Sequence, residues 1–268
     1  TGIPLATLRA IAASGRLPAR GMVLSIGDWI TASLVGATGP MHATNAAAMG
    51  MLDVMELQWQ SDCVHAAGLT HLQLPEVVSD IGVVGHTPAG SRVLTAVGDQ
   101  QAALYGMDLA ADEISFNVAT GAQVARVSRG GIAEEAQTRP YFADTWLHTV
   151  THIPAGRSLN AWMRLLTVLN DRPIPLNEAW DRILPKVIEC EVENLPEFNL
   201  GIFDSADGAE GSISGLVEAN LEPAAFIRGA LISCADSLIR HADRVGLEEV
   251  ERAVFSGGWL LKDRVIAD

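Results

Sequence analysis

The sequence is poor in cysteine and in basic side chains, and it has no long uninterrupted apolar run. Its 268 residues include only 3 cysteines, Cys63, Cys190 and Cys234, and no two are closely spaced. An odd, scattered set argues against a disulfide framework or a structural zinc site and indicates a reducing compartment, so we expect a cytoplasmic protein. No signal peptide is recognisable, and no apolar run reaches the roughly 20 residues of a membrane span, so we expect no membrane partner.

The shortage of basic residues makes the chain acidic. The chain carries 18 Lys and Arg side chains against 32 Asp and Glu, and its formal net charge is −14. Such a surface repels the phosphates of nucleic acids, so nucleic acid is not an expected partner. A locally positive site or Mg²⁺ could still hold an anionic substrate. Hydrophobic residues make up 49% of the chain, which is enough for a sizeable core in one or two domains.

Helical and strand-like patterns alternate along the chain, which predicts an α/β protein. Residues 91–97 predict a short buried strand that ends at Gly98, and residues 100–110 predict a helix packed through small side chains. Gly98-Asp99 would then lie where a strand leads into a helix. In open α/β sheets, ligands bind outside the carboxyl ends of strands, so this junction is the first candidate site.

Asp99, in the run Gly98-Asp99-Gln100-Gln101, is the candidate catalytic base. The glycine lets the backbone approach a ligand closely. The carboxylate can take a proton from a hydroxyl or hold a metal ion, and Gln100 offers a donor and an acceptor to substrate hydroxyls. Taken alone, Asp99 has a plainer explanation as the N-terminal cap of the following helix. Both explanations stay open on these residues.

Two later turns could face the phosphates of a nucleotide. Residues 113–119 and 123–127 predict a β-hairpin with a tight turn at Thr120-Gly121, whose hydroxyl and N–H groups could meet a phosphate. Pro154-Ala155-Gly156 precedes a helix predicted from about residue 157 to residue 169, and helix N-termini bind phosphate. In isolation, an ordinary hairpin turn and a plain helix start explain these two patterns.

A strand predicted over residues 251–256 opens into Gly257-Gly258. Two glycines at this point would let a flat ligand such as adenine lie against the backbone. A lone Gly-Gly turn is weak evidence for such a site. Further helices are predicted over residues 4–14, 22–36, 176–184 and 223–244, and Pro185 should end or kink the third of them.

The order of these motifs along the chain resembles the FGGY carbohydrate kinases, a family that includes glycerol kinase, xylulokinase, ribulokinase and sedoheptulokinase. The stretch Val97–Gly106 is very similar to the glycerol kinase segment that carries the catalytic aspartate. Asp28-Trp29-Ile30 and Thr44-Asn45-Ala46-Ala47 resemble two earlier segments of the family. Among its members, His152–Arg157 and Gly211–Gly215 are most similar to sedoheptulokinase-type proteins.

The resemblance implies an α/β protein with an actin-like ATPase (ribonuclease H-like) fold, in which two domains flank a cleft. Residues 1–106 would be the C-terminal part of the sugar-binding domain, and residues 107–268 a nucleotide-binding domain truncated at its C-terminus. The net charge also differs between the two parts. Residues 1–106 carry 4 basic and 7 acidic side chains, and residues 107–268 carry 14 basic and 25 acidic side chains. The chain begins at Thr1 and stops at Asp268 directly after an apolar segment, so we expect it to be incomplete at both ends.

The resemblance also implies a reaction and a set of site residues. The reaction is ATP-dependent phosphorylation of a hydroxyl on a small sugar, expected to be a ketose, or on a polyol. Mg²⁺ is the implied cofactor, and Asp99 is both the general base and a metal ligand. Substrate contacts would come from Thr44, Asn45, Asp99 and Gln100. Nucleotide contacts would come from Thr120, Gly121, Gly156, Asn160, Gly257 and Gly258. The expected partners are this substrate and a second copy of the chain in a homodimer.

The sequence departs from the family in three places. The N-terminal Asp-x-Gly-Thr phosphate hairpin, whose aspartate helps to hold the metal, is missing, and we expect it upstream of Thr1. A chain that truly lacks the hairpin should be inactive, and the alternative is then a degenerate actin-like nucleotide-binding protein acting as a sensor or scaffold. The retention of Asp99 argues against that alternative. Ala119 stands where many members have glycine. Lys262, in a helix predicted over residues 260–268, stands where glycerol kinases have asparagine near the adenine.

Other conspicuous side chains have structural explanations. Trp146, Trp162 and Trp180 are predicted to be core residues rather than ligand platforms. His148 and His152 are spaced to bind a metal ion from one helix, but the threonine-rich stretch between them predicts extended structure. A histidine metal site is therefore not expected.

Overall fold

A computed structural model describes residues 3–111, 113–168 and 174–259, and within it the chain divides into two compact units. The first comprises the residues up to Leu109 together with residues 127–132 and 138–147, and the second comprises residues 110–126, 133–137 and the chain from His148 onward. The predicted boundary at residue 106 is close to Leu109. The sequence did not predict that two later segments return to the first unit. The assignment of sugar and nucleotide binding to separate domains stays a prediction.

The first unit consists of short helices and two-stranded pairings. Its elements are α1 (Pro4–Ala13), α2 (Ile26–Val35), β1 (Met41–His42), α3 (Ala43–Ala48), β2 (Leu52–Asp53), β3 (Gln58–Trp59), α4 (Ser61–Ala66), β4 (Val77–Val78), β5 (Val83–His86), β6 (Arg92–Leu94) and α5 (Asp99–Gly106). The pairs are β1 with β4, β2 with β3, and β5 with β6. Its core is built from buried methionine and leucine side chains, among them Met41, Met51 and Leu69.

Helix α2 begins later than its apolar pattern predicted. The predicted start was Met22, but Ser25 is the N-cap, and its side chain accepts a hydrogen bond from the N–H of Asp28 at 3.1 Å. The carboxylate of Asp28 accepts in return from the Ser25 N–H, which completes a capping box. Gly36 ends the helix with φ 77°, as the sequence predicted, because this left-handed conformation costs glycine little.

The second unit is built on most of a five-stranded sheet. The elements from residue 113 onward are β7 (Glu113–Val118), β8 (Gly121–Ser128), β9 (Gln137–Pro140), β10 (Trp146–Pro154), α6 (Gly156–Thr167), α7 (Leu176–Ile188), β11 (Glu197–Asn199), β12 (Ser212–Ser214), α8 (Pro223–Asp243) and β13 (Arg252–Ser256). Residues 138–140 of β9 belong to the first unit. The spatial order of the sheet is β13-β7-β8-β10-β9. Buried side chains from the sheet and the three helices form one core, including Ile114, Val124, Ile153, Leu159 and Ile227.

The pairings in this sheet confirm the predicted hairpin. β7 runs antiparallel to β8, with Val118 opposite Ala122, so the chain reverses direction over residues 119–121. β13 runs parallel to β7, with Ser256 opposite Asn117, and so leads into Gly257 beside that turn. Two turns that lie far apart in the sequence are therefore neighbours at one edge of the sheet. The helix predicted over residues 260–268, with Lys262, lies outside the described residues.

The predicted end of the helix at Pro185 is wrong, because α7 continues through it to Ile188. The alternative prediction, a kink at Pro185, stays a prediction. Proline removes one backbone donor, which leaves the carbonyl of residue 181 without its helical partner. Both Pro185 and Asp181 are exposed, so water can hydrate this carbonyl. The last turn is held from outside the helix, since the guanidinium of Arg228 donates to the carbonyls of Val187 and Cys190.

Helix α8 confirms the longest predicted helix, and it carries a cluster of polar residues around Asp207. Ser237 and His241 contact the two carboxylate oxygens of Asp207 at 2.6 and 2.8 Å, respectively. Arg244 donates to Nδ1 of His241, so Nε2 of that ring carries the proton that is donated to Asp207. These bonds attach the loop around residue 207 to α8.

None of the helices in the described parts of the chain combines the length and apolarity of a membrane span.

Candidate active site

Asp99 is the first residue of α5. The strand before it, β6, ends at Leu94 and is shorter than predicted, and residues 95–98 connect it to the helix. The N-cap position belongs to Gly98, and no side chain caps the helix. One carboxylate oxygen of Asp99 accepts from the N–H of Gln100 at 2.7 Å, and the residue is exposed. The explanation of Asp99 as the helix cap is therefore wrong, because Asp99 lies inside the helix. Its exposed carboxylate, at the head of a helix, is able to accept a proton from a bound hydroxyl.

Buried hydrogen bonds from α3 hold the backbone just before Asp99. The hydroxyl oxygen of Thr44 accepts from the Gly98 N–H at 2.9 Å and lies 2.9 Å from Nδ1 of His42. Nε2 of His42 lies 2.8 Å from the carbonyl oxygen of Ser79. Because a carbonyl only accepts, Nε2 carries the proton and Nδ1 accepts from Thr44. Burial lowers the pKa of His42, which favours the neutral ring that this arrangement requires.

Asn45 holds the same backbone segment slightly earlier. Its Nδ2 donates to the carbonyl oxygen of Ala96 at 3.1 Å. Gly27 of α2 packs against Ala96, where an added Cβ would come within 3.0 Å of the alanine methyl. Thr44 and Asn45 thus bind the backbone that leads to Asp99. The direct substrate contacts predicted for them stay predictions.

Arg139 of β9 lies beside Asp99 and Gln100, which the sequence did not predict. Its Nη1 donates to Oε1 of Gln100 at 2.6 Å. Burial lowers the pKa of Arg139, and the charge of Asp99 acts in the opposite direction, so the two side chains interact electrostatically. Gln101 is buried and donates to the carbonyl oxygen of Pro140 at 3.3 Å, which attaches α5 to β9. No local motif marks Arg139, because only the return of β9 to the first unit brings it here.

In the second unit, the hairpin turn is docked onto the first turn of α6. The N–H of Gly156 donates to the carbonyl of Ala119 at 3.1 Å, and that of Arg157 donates to the carbonyl of Thr120 at 2.7 Å. A Cβ on Gly156 would come within 2.5 Å of the Ala119 oxygen and 2.3 Å of the Trp259 indole nitrogen. Close packing therefore requires glycine at this position. The phosphate contacts predicted for Gly121 and Gly156 stay predictions.

Gly257 and Gly258 differ in what they contact. Gly257 has φ +105°, and an added Cβ would lie 2.2 Å from the carbonyl oxygen of Val118. A Cβ on Gly258 would meet nothing within 4 Å. Gly257 thus lets β13 turn closely over the end of β7, whereas Gly258 faces open space.

A cavity of about 400 Å³ lies at this edge of the sheet, between the two turns and the helices α6 and α7. Its lining consists of Ala119, Thr120, Asn160, Leu176, Asn177, Trp180, Asp181, Gly258 and Trp259. Three residues predicted to contact a nucleotide, Thr120, Asn160 and Gly258, therefore line one cavity. The volume is within the range of small-molecule sites.

Trp180 was predicted to be a core residue, and it is 8% exposed. It also lines the cavity, which the sequence did not predict, and its indole Nε1 donates to Oδ1 of Asn160 at 2.8 Å. Trp259 packs against it edge to face, with ring centroids 4.8 Å apart. A tryptophan at helical spacing predicts burial, but it does not show that one ring edge faces a cavity.

The described residues contain no group of three or more His, Cys, Asp or Glu side chains placed to hold a metal ion by themselves. His148 and His152 both lie in β10, which confirms the predicted extended structure. Within this part of the chain, a metal ion held by one carboxylate would take its other ligands from a bound substrate or water.

No protein-family model matches the chain. A sedoheptulokinase from Homo sapiens is 27% identical over 159 residues, which cover 53% of this chain and 33% of that protein. A glycerol kinase from Pseudomonas putida is 35% identical over 85 residues, which cover 31% of this chain and 17% of that protein.

The similarity in structure extends over nearly the whole chain. A xylulose kinase from Rhodospirillum rubrum superimposes with a TM-score of 0.82 at 17% identity, covering 99% of this chain and 57% of that one. A glycerol kinase from Plasmodium falciparum, solved with ADP, superimposes with a TM-score of 0.74 at 20% identity, covering 92% of this chain and 52% of that one. The predicted actin-like ATPase fold is confirmed. The chain is similar in sequence to sedoheptulokinases and glycerol kinases, and it shares the fold of these carbohydrate kinases.

The chain spans about a third of the length of the sedoheptulokinase and just over half of the xylulose kinase. Its candidate site residues fall into two groups. Thr44, Asn45, Asp99 and Gln100 are held together in the first unit, where Arg139 joins them. Thr120, Asn160 and Gly258 line the cavity of the second unit, and Gly121, Gly156 and Gly257 lie in or beside the turns that shape it.

Proposed function

We propose that this chain catalyses ATP-dependent phosphorylation of a hydroxyl on a small sugar or polyol, with a ketose as the preferred acceptor and Asp99 as the general base. The observation that carries the proposal is the exposed carboxylate of Asp99 at the head of α5, on backbone fixed by Thr44 and Asn45. In a protein similar to carbohydrate kinases, such a carboxylate is suited to take the proton of the acceptor hydroxyl.

Gln100 and Arg139 are proposed to orient the acceptor beside Asp99. The guanidinium engages the oxygen of the Gln100 amide, which fixes the rotation of that amide about its side chain. A sugar or polyol offers several hydroxyl groups, each able to donate and accept. Fixed polar side chains next to the base would select the hydroxyl that is positioned to react.

The nucleotide is assigned to the cavity of the second unit. Its lining combines a threonine hydroxyl, an asparagine amide and two indole rings, which suits a ligand with both polar and flat aromatic parts. The turn through Ala119 and Thr120 is held rigidly by two hydrogen bonds to α6. The proposed phosphate contacts of Thr120, Gly121 and Gly156 would therefore come from backbone that needs little reorganisation.

The carboxylate of Asp99 is also a suitable single ligand for a Mg²⁺ ion. Magnesium in phosphoryl-transfer sites keeps several waters and takes one or two carboxylates together with the phosphates of the substrate. The metal would neutralise charge on the transferring phosphoryl group. Asp99 is exposed and accepts one backbone hydrogen bond, so its geometry is compatible with a metal ligand.

The proposed reaction transfers one proton and one phosphoryl group. The carboxylate of Asp99 accepts the proton of the acceptor hydroxyl, and the oxygen of that hydroxyl forms a bond to the γ-phosphorus of ATP. The bond between this phosphorus and the oxygen bridging to the β-phosphate breaks, and ADP leaves with that electron pair. Asp99 then releases its proton to water.

The test is ADP production by the protein with a panel of ketoses and polyols. ADP should form with at least one acceptor at a rate well above the rate without acceptor. Asp99→Asn should lower that turnover by about 10²–10⁴-fold, as expected for loss of a general base, while ADP still binds.

Two results would count against the proposal. Nucleotide binding without acceptor-dependent turnover for any member of the panel would favour a degenerate nucleotide-binding sensor or scaffold. Full turnover by the Asp99→Asn variant would show that another group is the base.

A further inference from the structure

Asn160, on α6, meets Trp180, on α7, at the wall of the second-unit cavity. Nε1 of Trp180 donates to Oδ1 of Asn160 at 2.8 Å. Both residues line the cavity, and Trp180 is largely buried whereas Asn160 is partly buried. The amide that faces the ligand space is therefore held by a side chain with little freedom to move.

The N–H group of the indole determines the orientation of the Asn160 amide. Tryptophan Nε1 carries a hydrogen and cannot accept a hydrogen bond, so its partner on Asn160 must be the oxygen. The amide group is planar, and its NH₂ group lies on the side away from the indole. An amide that could otherwise present either an acceptor or a donor is thereby restricted to presenting a donor.

Trp180 is itself fixed by its surroundings. Its ring packs edge to face against Trp259, with centroids 4.8 Å apart and planes at 86°. The indole of Trp259 is confined in turn by Gly156, where an added Cβ would come within 2.3 Å of its nitrogen. The orientation of Asn160 thus depends on close packing that reaches to the start of α6.

We propose that Trp180 is a positioning residue that sets the hydrogen-bonding polarity of the nucleotide site, by holding Asn160 as a donor. The inference rests on the proposed function only in assigning a nucleotide to this cavity. It predicts that Asn160 meets an acceptor on the ligand, such as a ring nitrogen of a purine or a ribose oxygen. Without Trp180, the amide could rotate, and part of the population would present its oxygen to that acceptor.

The test is calorimetric titration of the protein with ADP. Trp180→Phe keeps an aromatic ring and removes the N–H, and it should bind ADP about fivefold more weakly, the factor to which one ordinary hydrogen bond corresponds. Asn160→Asp keeps an acceptor for the indole but presents no donor to the ligand. Its affinity should fall at least as far as that of Trp180→Phe.

A double-mutant cycle separates positioning from packing. If Trp180 acts through Asn160, then Trp180→Phe should have little further effect in an Asn160→Ala background, because the amide it orients is gone. Trp162→Phe is the matched control. Trp162 lies in the same core, its Nε1 is buried without a hydrogen-bond partner, and it does not line the cavity, so this variant should bind ADP like the wild type.

These measurements distinguish failure of the inference from failure of the proposed function. Unchanged ADP affinity in Trp180→Phe or Asn160→Asp, or additive effects in the cycle, would overturn the inference and leave the kinase proposal intact. A coupled cycle in a protein without acceptor-dependent turnover would support the inference and refute the proposed reaction. Absence of ADP binding by the wild type would overturn both.

Discussion

The N–H of Gly98 donates to the hydroxyl oxygen of Thr44, 54 residues earlier in the chain, at a distance of 2.9 Å. The same hydroxyl contacts Nδ1 of His42, so a buried histidine and a threonine together set the position of the backbone that leads into Asp99. The placement of the proposed base therefore depends on side chains that need not touch the substrate.

Thr44→Val tests this relationship, because valine keeps the shape of threonine and loses the acceptor. The Gly98 N–H would lose its partner in a partly buried site, which costs about 1–3 kcal/mol of unfolding free energy. We also expect lower kcat with a smaller change in the KM for ATP, since the loss acts on the Asp99 segment. Denaturant unfolding and steady-state kinetics measure the two effects.

The control for Thr44→Val is Thr7→Val. The Thr7 hydroxyl is exposed and contacts only a carbonyl near the start of its own helix, at 3.4 Å. That variant should change stability by no more than about 0.5 kcal/mol. Equal effects of the two substitutions would contradict a positioning role for Thr44.

Arg139→Met should raise the KM for the acceptor by about three- to tenfold, because Gln100 would lose the donor that holds its amide oxygen. Arg139→Lys keeps the charge but not the planar fork, so it should restore part of the affinity. Michaelis–Menten analysis with the acceptor varied at saturating ATP measures this. An unchanged KM in Arg139→Met would show that this guanidinium does not orient the acceptor.

Gly156→Ala should destabilise the protein by about 1–3 kcal/mol, because the new methyl group would overlap the Ala119 carbonyl and the Trp259 indole. Gly106→Ala is its control, since a methyl group at that helical position meets nothing within 4 Å. Thermal unfolding of both variants provides the comparison. A melting temperature for Gly156→Ala as high as that of Gly106→Ala would contradict the close packing of the hairpin turn on α6.

The Asp207 cluster predicts a stability change at acid pH. Burial alone would raise the pKa of Asp207, but hydrogen bonds from His241 and Ser237 and the positive charge of Arg240 outweigh it and lower the pKa from 3.8 to about 2. A depressed carboxylate pKa stabilises the fold above the unfolded value near 3.8, and this contribution is lost as the pH falls toward 2. The contribution is about 2 kcal/mol.

Unfolding free energies of the wild type and of Asp207→Asn, measured from pH 7 down to pH 2, check this prediction. The difference between the two proteins should be largest above pH 4 and should shrink below it. A difference that stays constant over that range would show that the ionisation of Asp207 does not contribute.

Much of the fold could be predicted from local patterns, because apolar periodicity and turn residues act over short distances. Gly36 ends α2, the hairpin turns next to Thr120, and α8 follows the longest apolar pattern, all as predicted. The predictions failed where a distant contact or the solvent decided the outcome. Pro185 does not end α7, because Asp181, whose carbonyl loses its helical donor, is exposed to water and Arg228 holds the last turn.

The sequence by itself determined the motif order that resembles the FGGY carbohydrate kinases, and it singled out Asp99, Thr120, Asn160 and Gly258. Those choices depend on residue type and spacing, which are local. Only the tertiary structure decided that Asp99 lies inside its helix and not at the cap, and that Arg139 reaches Gln100. Only the tertiary structure decided that the Trp180 indole donates to Asn160 at the wall of a cavity. Each of these contacts joins residues on different elements, and no pattern along a single element records such a contact.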